Sequence, residues 1–253
     1  MNIPGSFCAF LTATALWVQA APTAGGAKPL ENSLGMKLVP VPGGRVLFSI
    51  WETRVRDYLA FADDTHRAWT RPDFAQTPDE PAVNVSWEDA DAFCRWLTAR
   101  ERKAGRLTDK QRYRLPTDAE WSVAVGLGPE QGRTPEDRLQ GGVVWPWGCT
   151  WPPHDGVGNY SPELETDKFT NTSPVGCFKP NRHGLFDLGG NAWEWCDDWY
   201  NDAQVTKVLR GGSFHDSQPK DLLAAYRFSG TVHLNNDDIG FRVVIEGVSA
   251  PQP

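Results

Sequence analysis

The chain has 253 residues, 40% hydrophobic and 23% charged, with a formal net charge of -7. This composition fits a globular protein with a sizeable core and excludes a disordered or fibrous one. The negative balance and the lack of a basic stripe exclude a general nucleic-acid binder, because phosphate recognition needs clustered Lys and Arg to displace counterions.

The first twenty residues read as an export signal. Phe7 to Val18 is an apolar run too short to span a bilayer, and Val18-Gln19-Ala20 offers small residues for cleavage, although no Lys or Arg precedes Lys28. No other stretch is long and apolar enough to span a membrane, so the expected location is periplasmic or secreted, without membrane insertion. Residues 21–31 form a Pro, Gly and Ala linker, residues 32–247 a single domain, and residues 248–253 a tail. Beyond the signal lie Cys94, Cys149, Cys177 and Cys196, which in an oxidising compartment permit one or two disulfides in any of three pairings.

Within the domain, Leu34 to Val41 and Arg45 to Ile50 read as strands around a Pro42-Gly43-Gly44 turn. Val55 to Ala68 reads as a helix with Tyr58, Leu59, Phe61 and Ala62 on its apolar stripe. Ser86 is the N-cap of a second helix reaching about Lys103, with Asp89 three residues on and Ala90, Phe93, Cys94 and Leu97 facing inward. Thr117 and Glu120 form a capping box for a short third helix ending near Val125. From Gly126 onward turns interrupt the chain every few residues, so the second half is mostly loop and strand. Val205 to Leu209 and Ile239 to Ile245 are its clearest strands. Twelve Trp, 24 Gly and 20 Pro agree with a loop-rich domain whose core is built on large rings. Trp193 and Trp195 alternate with Glu194, so one face of an extended segment buries rings while the other presents a carboxylate.

Five segments in one order carry a family resemblance. They are Pro81-Ala82-Val83-Asn84-Val85-Ser86-Trp87 with Ala90 and Cys94; Tyr113-Arg114-Leu115-Pro116-Thr117 through Trp121; Trp145-Pro146-Trp147-Gly148; Gly184-Leu185-Phe186-Asp187 through Trp195; and Arg210-Gly211-Gly212-Ser213-Phe214 with Gly240-Phe241-Arg242. Together they resemble the formylglycine-generating enzyme, or sulfatase-modifying factor, family. The resemblance implies an α+β fold, a variant of the C-type lectin fold with little regular secondary structure in a single domain. It also implies two structural calcium sites. Asp187, Gly190, Ala192 and Glu194 match one, and Asn159, Tyr160, Asp167 and Phe169 match the other, in each case two side chains and two backbone carbonyls suited to a hard cation.

The resemblance stops at the chemistry. Members that activate sulfatases oxidise a substrate cysteine with copper and oxygen, using two cysteines after the Gly-Gly-Ser-aromatic segment. Here the matching positions are Asp216 and Asp221, which cannot act as thiolates or as soft ligands for Cu(I). Copper is therefore not expected, and the chain reads as a pseudoenzyme: a calcium-stabilised binding or accessory protein for a peptide, protein or glycan. Two alternatives remain open. One is an oxidoreductase or maturation enzyme with a different metal set drawn from His215, Asp216, Asp221 and His233. The other is a lectin-like glycan binder with Trp145, Trp147 and Trp151 as its platform.

Overall fold

The computed structural model describes residues 29–248 except 129, 141 and 142. The export segment, residues 21–28 of the linker and residues 249–253 of the tail lie outside the described residues.

Two sheets and three helices make an α+β domain. The first sheet orders β1 (Leu30–Glu31), β2 (Lys37–Pro40), β3 (Leu47–Ser49), β9 (Val244–Glu246) and β4 (Arg112–Arg114), all antiparallel. The second orders β7 (Phe228–Thr231), β6 (Thr206–Arg210), β5 (Trp193–Trp199) and β8 (Ile239–Gly240), in which only β5 and β8 run parallel. Leu30 and Glu31 thus pair with Leu38 and Lys37 although they read as linker.

Helix α1 spans Val55–Thr65 rather than reaching Ala68, because His66 turns into the left-handed region at φ 53° and its N–H closes the last turn. Its buried stripe is Val55, Tyr58, Phe61 and Ala62. Leu59, expected on that stripe, is 37% exposed. Helices α2 (Trp87–Lys103) and α3 (Asp118–Val125) begin as expected, with Ser86 accepting from Asp89 N and Thr117 accepting from Glu120 N in reciprocal capping boxes. Beyond Val125 the helical turns among the described residues are two short 3-10 pieces, Glu136–Gln140 and Pro162–Leu164.

The apolar run Ile239 to Ile245 is not one strand. Its first two residues pair with Trp193 and Glu194 in the second sheet, and Val244 onward joins the first. Between them Phe241 enters the core beside Tyr58 and Phe93, while Arg242 is drawn sideways to Glu194. Gly240 sits at the crossing, where a Cβ would lie 2.6 Å from Ala82 O. This switch couples the sheets and seats β5 with both faces buried, so Trp193, Glu194 and Trp195 all lie inside. Cys94 and Cys196 are buried, Cys149 and Cys177 exposed, and all four are free thiols.

Candidate functional site

The loop from Asp187 to Ala192 places the first predicted calcium ligands. Gly190 takes φ +81°, and a Cβ there would lie 2.2 Å from Asn159 O, so only glycine lets the two loops touch. Asp187 Oδ2 accepts from Gly176 N at 2.7 Å, while its Oδ1 is buried without a hydrogen-bond partner. Glu194 is more committed: Oε2 accepts from Trp121 Nε1 at 2.9 Å and Arg242 Nε at 2.7 Å, and Oε1 from Arg242 Nη2 at 2.5 Å.

A third carboxylate, Glu52, joins them. It is fully buried, its Oε1 accepts from Asn191 Nδ2 at 3.1 Å, and its Oε2 has no partner. Burial, followed by the Asp187 and Glu194 charges, pushes the Glu52 carboxyl well above its usual range. Burial likewise pushes Asp187 up to about 6. Three acids against one guanidinium leave this interior short of positive charge, and desolvated carboxylates demand compensation.

The second predicted site is adjacent. Asn191 bridges the two, its Oδ1 accepting from Asn159 Nδ2 at 3.1 Å while its Nδ2 reaches Glu52. Asn159 Oδ1 is buried and unpartnered. Asp167 closes its loop by accepting from Tyr160 N at 3.1 Å and Phe169 N at 2.8 Å, which holds together three of the four residues that the family resemblance assigns to this site. Among the described residues no three His, Cys, Asp or Glu side chains form a metal-holding group by themselves. The residues nonetheless fit calcium: the orphaned oxygens of Asp187, Glu52 and Asn159 are hard donors that lack a cation or a proton.

Asp216 and Asp221 lie elsewhere, in a cavity of about 360 Å³ lined also by Trp193, Lys220, Tyr226 and Asp238 among others. Asp216 Oδ2 accepts from Ser213 N at 2.8 Å. The Ser213 hydroxyl lies 2.9 Å from Asp216 Oδ2 and 3.0 Å from Asp238 Oδ2, so its single proton serves one carboxylate at a time. Burial raises the Asp216 and Asp238 carboxyls above their usual range. His215, a candidate partner of Asp216 in a metal set, turns instead to Asp237 at 3.6 Å, and His233 to Glu88 at 3.0 Å. The four candidate ligands His215, Asp216, Asp221 and His233 are therefore not gathered. Trp145 stacks on Trp147 at 6.0 Å, Trp151 is tilted against both at 5.6 and 6.2 Å between centroids, and the three pack around Tyr160 and Leu222.

Sequence reasoning missed Glu52, Asn191 and Asp238. The signal for Glu52 was an acid following the apolar Phe48-Ser49-Ile50-Trp51 run that enters a helix; a carboxylate in such a place is either buried with partners or at a site.

Two curled sheets joined by a sheet-switching C-terminal segment, with loops carrying the polar sites, define an α+β domain of the lectin-like, formylglycine-generating-enzyme kind. The chain belongs to the sulfatase-modifying factor family: residues 17–247 match the sulfatase-modifying factor enzyme 1-like domain. It is 34% identical over 201 residues to the formylglycine-generating enzyme of Streptomyces coelicolor, covering 69% of this chain and 57% of that protein. It is 36% identical over 175 residues to the inactive C-alpha-formylglycine-generating enzyme 2 of Mus musculus, covering 64% and 48%. The chain thus spans about half the length of these relatives. Its fold is similar to that of PvdO from Pseudomonas aeruginosa, with TM-score 0.60, 22% identity and coverage of 79% and 80%. Treponema denticola variable protein 1 is similar too, with TM-score 0.58, 20% identity and coverage of 86% and 93%.

Proposed function

We propose that this chain is a calcium-stabilised, exported member of the family that does not oxidise cysteine and instead holds a peptide or protein segment in the cavity at Asp216 and Asp221. The observation that carries the reading is the identity of those two residues. Carboxylates stand where the relatives' chemistry needs thiolates, and Cys94, Cys149, Cys177 and Cys196 are absent from the residues that line the cavity. A similar protein described as inactive agrees with it.

Calcium, when bound, supplies the positive charge that the buried acids lack. Asp187, Glu52 and Glu194 with the carbonyls of Gly190 and Ala192 would hold one ion, and Asn159 and Asp167 with the carbonyls of Tyr160 and Phe169 the other. Arg242 keeps Glu194 oriented, and Asn191 ties the two loops to each other. Export supports this use, since calcium is plentiful outside the cytoplasm and modest sites fill there. Trp145 and Trp147 stack face to face with Trp151 tilted against both, which leaves less ring face for a sugar and favours a peptide over a glycan as ligand.

The test is incubation of the copper-supplied, oxygenated protein with a sulfatase-derived cysteine peptide, alongside elemental analysis. No aldehyde and stoichiometric calcium are expected. Aldehyde formation would overturn the reading.

A further inference from the structure

The cavity at Asp216 and Asp221 has two unlike walls. One is aromatic: the Trp193 ring lies 6.1 Å from Tyr226 and 5.7 Å from Phe228 between centroids. Phe228 keeps 43% of its surface open, on a domain whose other phenylalanines mostly serve the core. The other wall is anionic, with Asp216, Asp221 and Asp238. Of these, Asp216 and Asp238 are satisfied in part by Ser213. Asp221 stands beside the Tyr226 hydroxyl and keeps 20% of its side chain open, while its Oδ1 is shut off from water and accepts no hydrogen bond among the described residues.

What approaches Asp221 Oδ1 is an ammonium group from the chain itself. Lys220 Nζ lies 3.8 Å away, beyond hydrogen-bond reach, on a side chain that is 75% exposed and lines the same cavity. A lysine held so loosely is a weak tethered occupant, and an incoming ligand can displace it into solvent at little cost. The aromatic wall narrows the chemistry further. A divalent cation gains nothing from ring faces and would want more oxygens, whereas an alkylammonium uses both walls: its stem lies on apolar surface, its charge is attracted by the rings, and its three donors meet carboxylate oxygens.

We infer that the cavity receives the primary ammonium of a lysine side chain carried on a peptide, with the Asp221 carboxylate as its acceptor, its stem against Trp193 and Phe228, and Lys220 as the group it displaces. The inference rests on the peptide-binding reading and specifies its ligand. It assigns Asp221 a positive role in place of the cysteine it replaces, and Lys220 the role of a built-in competitor.

The experiment uses the calcium-loaded full chain and two peptides, acetyl-Gly-Ala-Lys-Ala-Gly-amide and the same peptide with norleucine for lysine, titrated by NMR and tryptophan fluorescence. The lysine peptide is expected to bind at least about tenfold tighter, because the two differ only in the charge and donors. Asp221→Asn should abolish the preference. Lys220→Gln should tighten the lysine peptide severalfold, which a merely structural role for Lys220 would not do. Equal binding of both peptides, or a Lys220→Gln variant that binds no better, overturns the inference while leaving peptide binding at the cavity intact. Binding of neither peptide overturns it as well, and the aldehyde assay above then decides separately whether the non-catalytic reading stands. Butylammonium binding as tightly as the lysine peptide would show that the cavity takes free amines and would sink the peptide half of the inference.

Discussion

Arg242 grips Glu194 through two bonds, Nε to Oε2 at 2.7 Å and Nη2 to Oε1 at 2.5 Å, with both side chains buried. The same guanidinium donates to Phe186 O at 2.9 Å, so it ties the β8–β9 crossing to the loop segment just before Asp187. Burial lowers its pKa, but Glu194, Glu52 and Asp187 together outweigh burial and raise it. Replacing it by methionine, Arg242→Met, leaves three buried acids with no cation, and breaking a buried pair in this way costs about 3–5 kcal/mol. Urea denaturation should show that loss. A cost below about 1 kcal/mol would mean that the acids are neutralised by something other than Arg242.

Glu52 gives a prediction with two opposite signs. Burial, then the Asp187 and Glu194 charges, raise its carboxyl, while burial and the Glu194 charge raise that of Asp187 against a lowering hydrogen bond with Glu52. Raised carboxyls favour the protonated fold, so without calcium their penalty is absent below the unfolded value and grows as pH rises through the folded value, about 6 for Asp187. At pH 7 in EDTA, Glu52→Gln should therefore be more stable than the natural chain, by about 1 kcal/mol. With calcium at a hundred times its Kd the natural chain should gain about 2.7 kcal/mol, and the variant clearly less. Thermal denaturation with and without calcium checks both signs. An undiminished calcium gain in the variant would remove Glu52 from the site.

How much of this was legible in the sequence depends on the range of the interaction. Capping boxes are local, so Ser86 with Asp89 and Thr117 with Glu120 could be read directly and stand as expected. The end of α1 depended on His66 accepting a left-handed backbone, which no apolar spacing reveals. The unbroken run from Ile239 to Ile245 concealed a change of sheet, because the cause is Glu194, 48 residues away, pulling Arg242 out of line. The site split the same way. Asp187 and Glu194 were singled out by the family resemblance of their segment, while Glu52 lies 139 residues from the Asn191 that orients it and is recognisable only in space.

Asp118 supports a second buried charge centre and predicts an acid limit. Its carboxylate meets Arg227 Nε at 3.0 Å and Nη2 at 3.1 Å, Arg138 Nη1 at 3.0 Å, and Arg210 Nη1 in closer contact. Burial alone would raise its carboxyl, but Arg210 and then Arg227 overcome this and hold it below the usual range. A depressed folded value means the stabilisation is fully present above the unfolded value near 4 and is lost as pH falls through the lower folded one. Asp118→Asn should cost about 3–5 kcal/mol at pH 7, since buried Arg210 loses its counter-charge and Arg227 keeps only Glu130. The gap should shrink in urea titrations repeated at progressively lower pH. A gap that stays constant down to pH 2 would show that the carboxylate's charge is not what matters.

The absence of thiols at Asp216 and Asp221 makes the most direct chemical prediction. Both side chains line one cavity, so replacing both should place two sulfurs at the same opening. Cu(I) is soft and prefers thiolates, whereas carboxylates suit it poorly. The natural chain should therefore compete weakly with bathocuproine disulfonate for Cu(I). The double variant Asp216→Cys, Asp221→Cys should withdraw about one equivalent from that chelator under reducing conditions. Burial at this position already raises the Asp216 carboxyl, and it will also oppose thiolate formation, so copper capture should strengthen as pH rises from 6 to 8. If the natural chain held Cu(I) as tightly as the variant, some other group in the molecule would be the copper ligand, and the case against oxidase chemistry would lose its chemical basis.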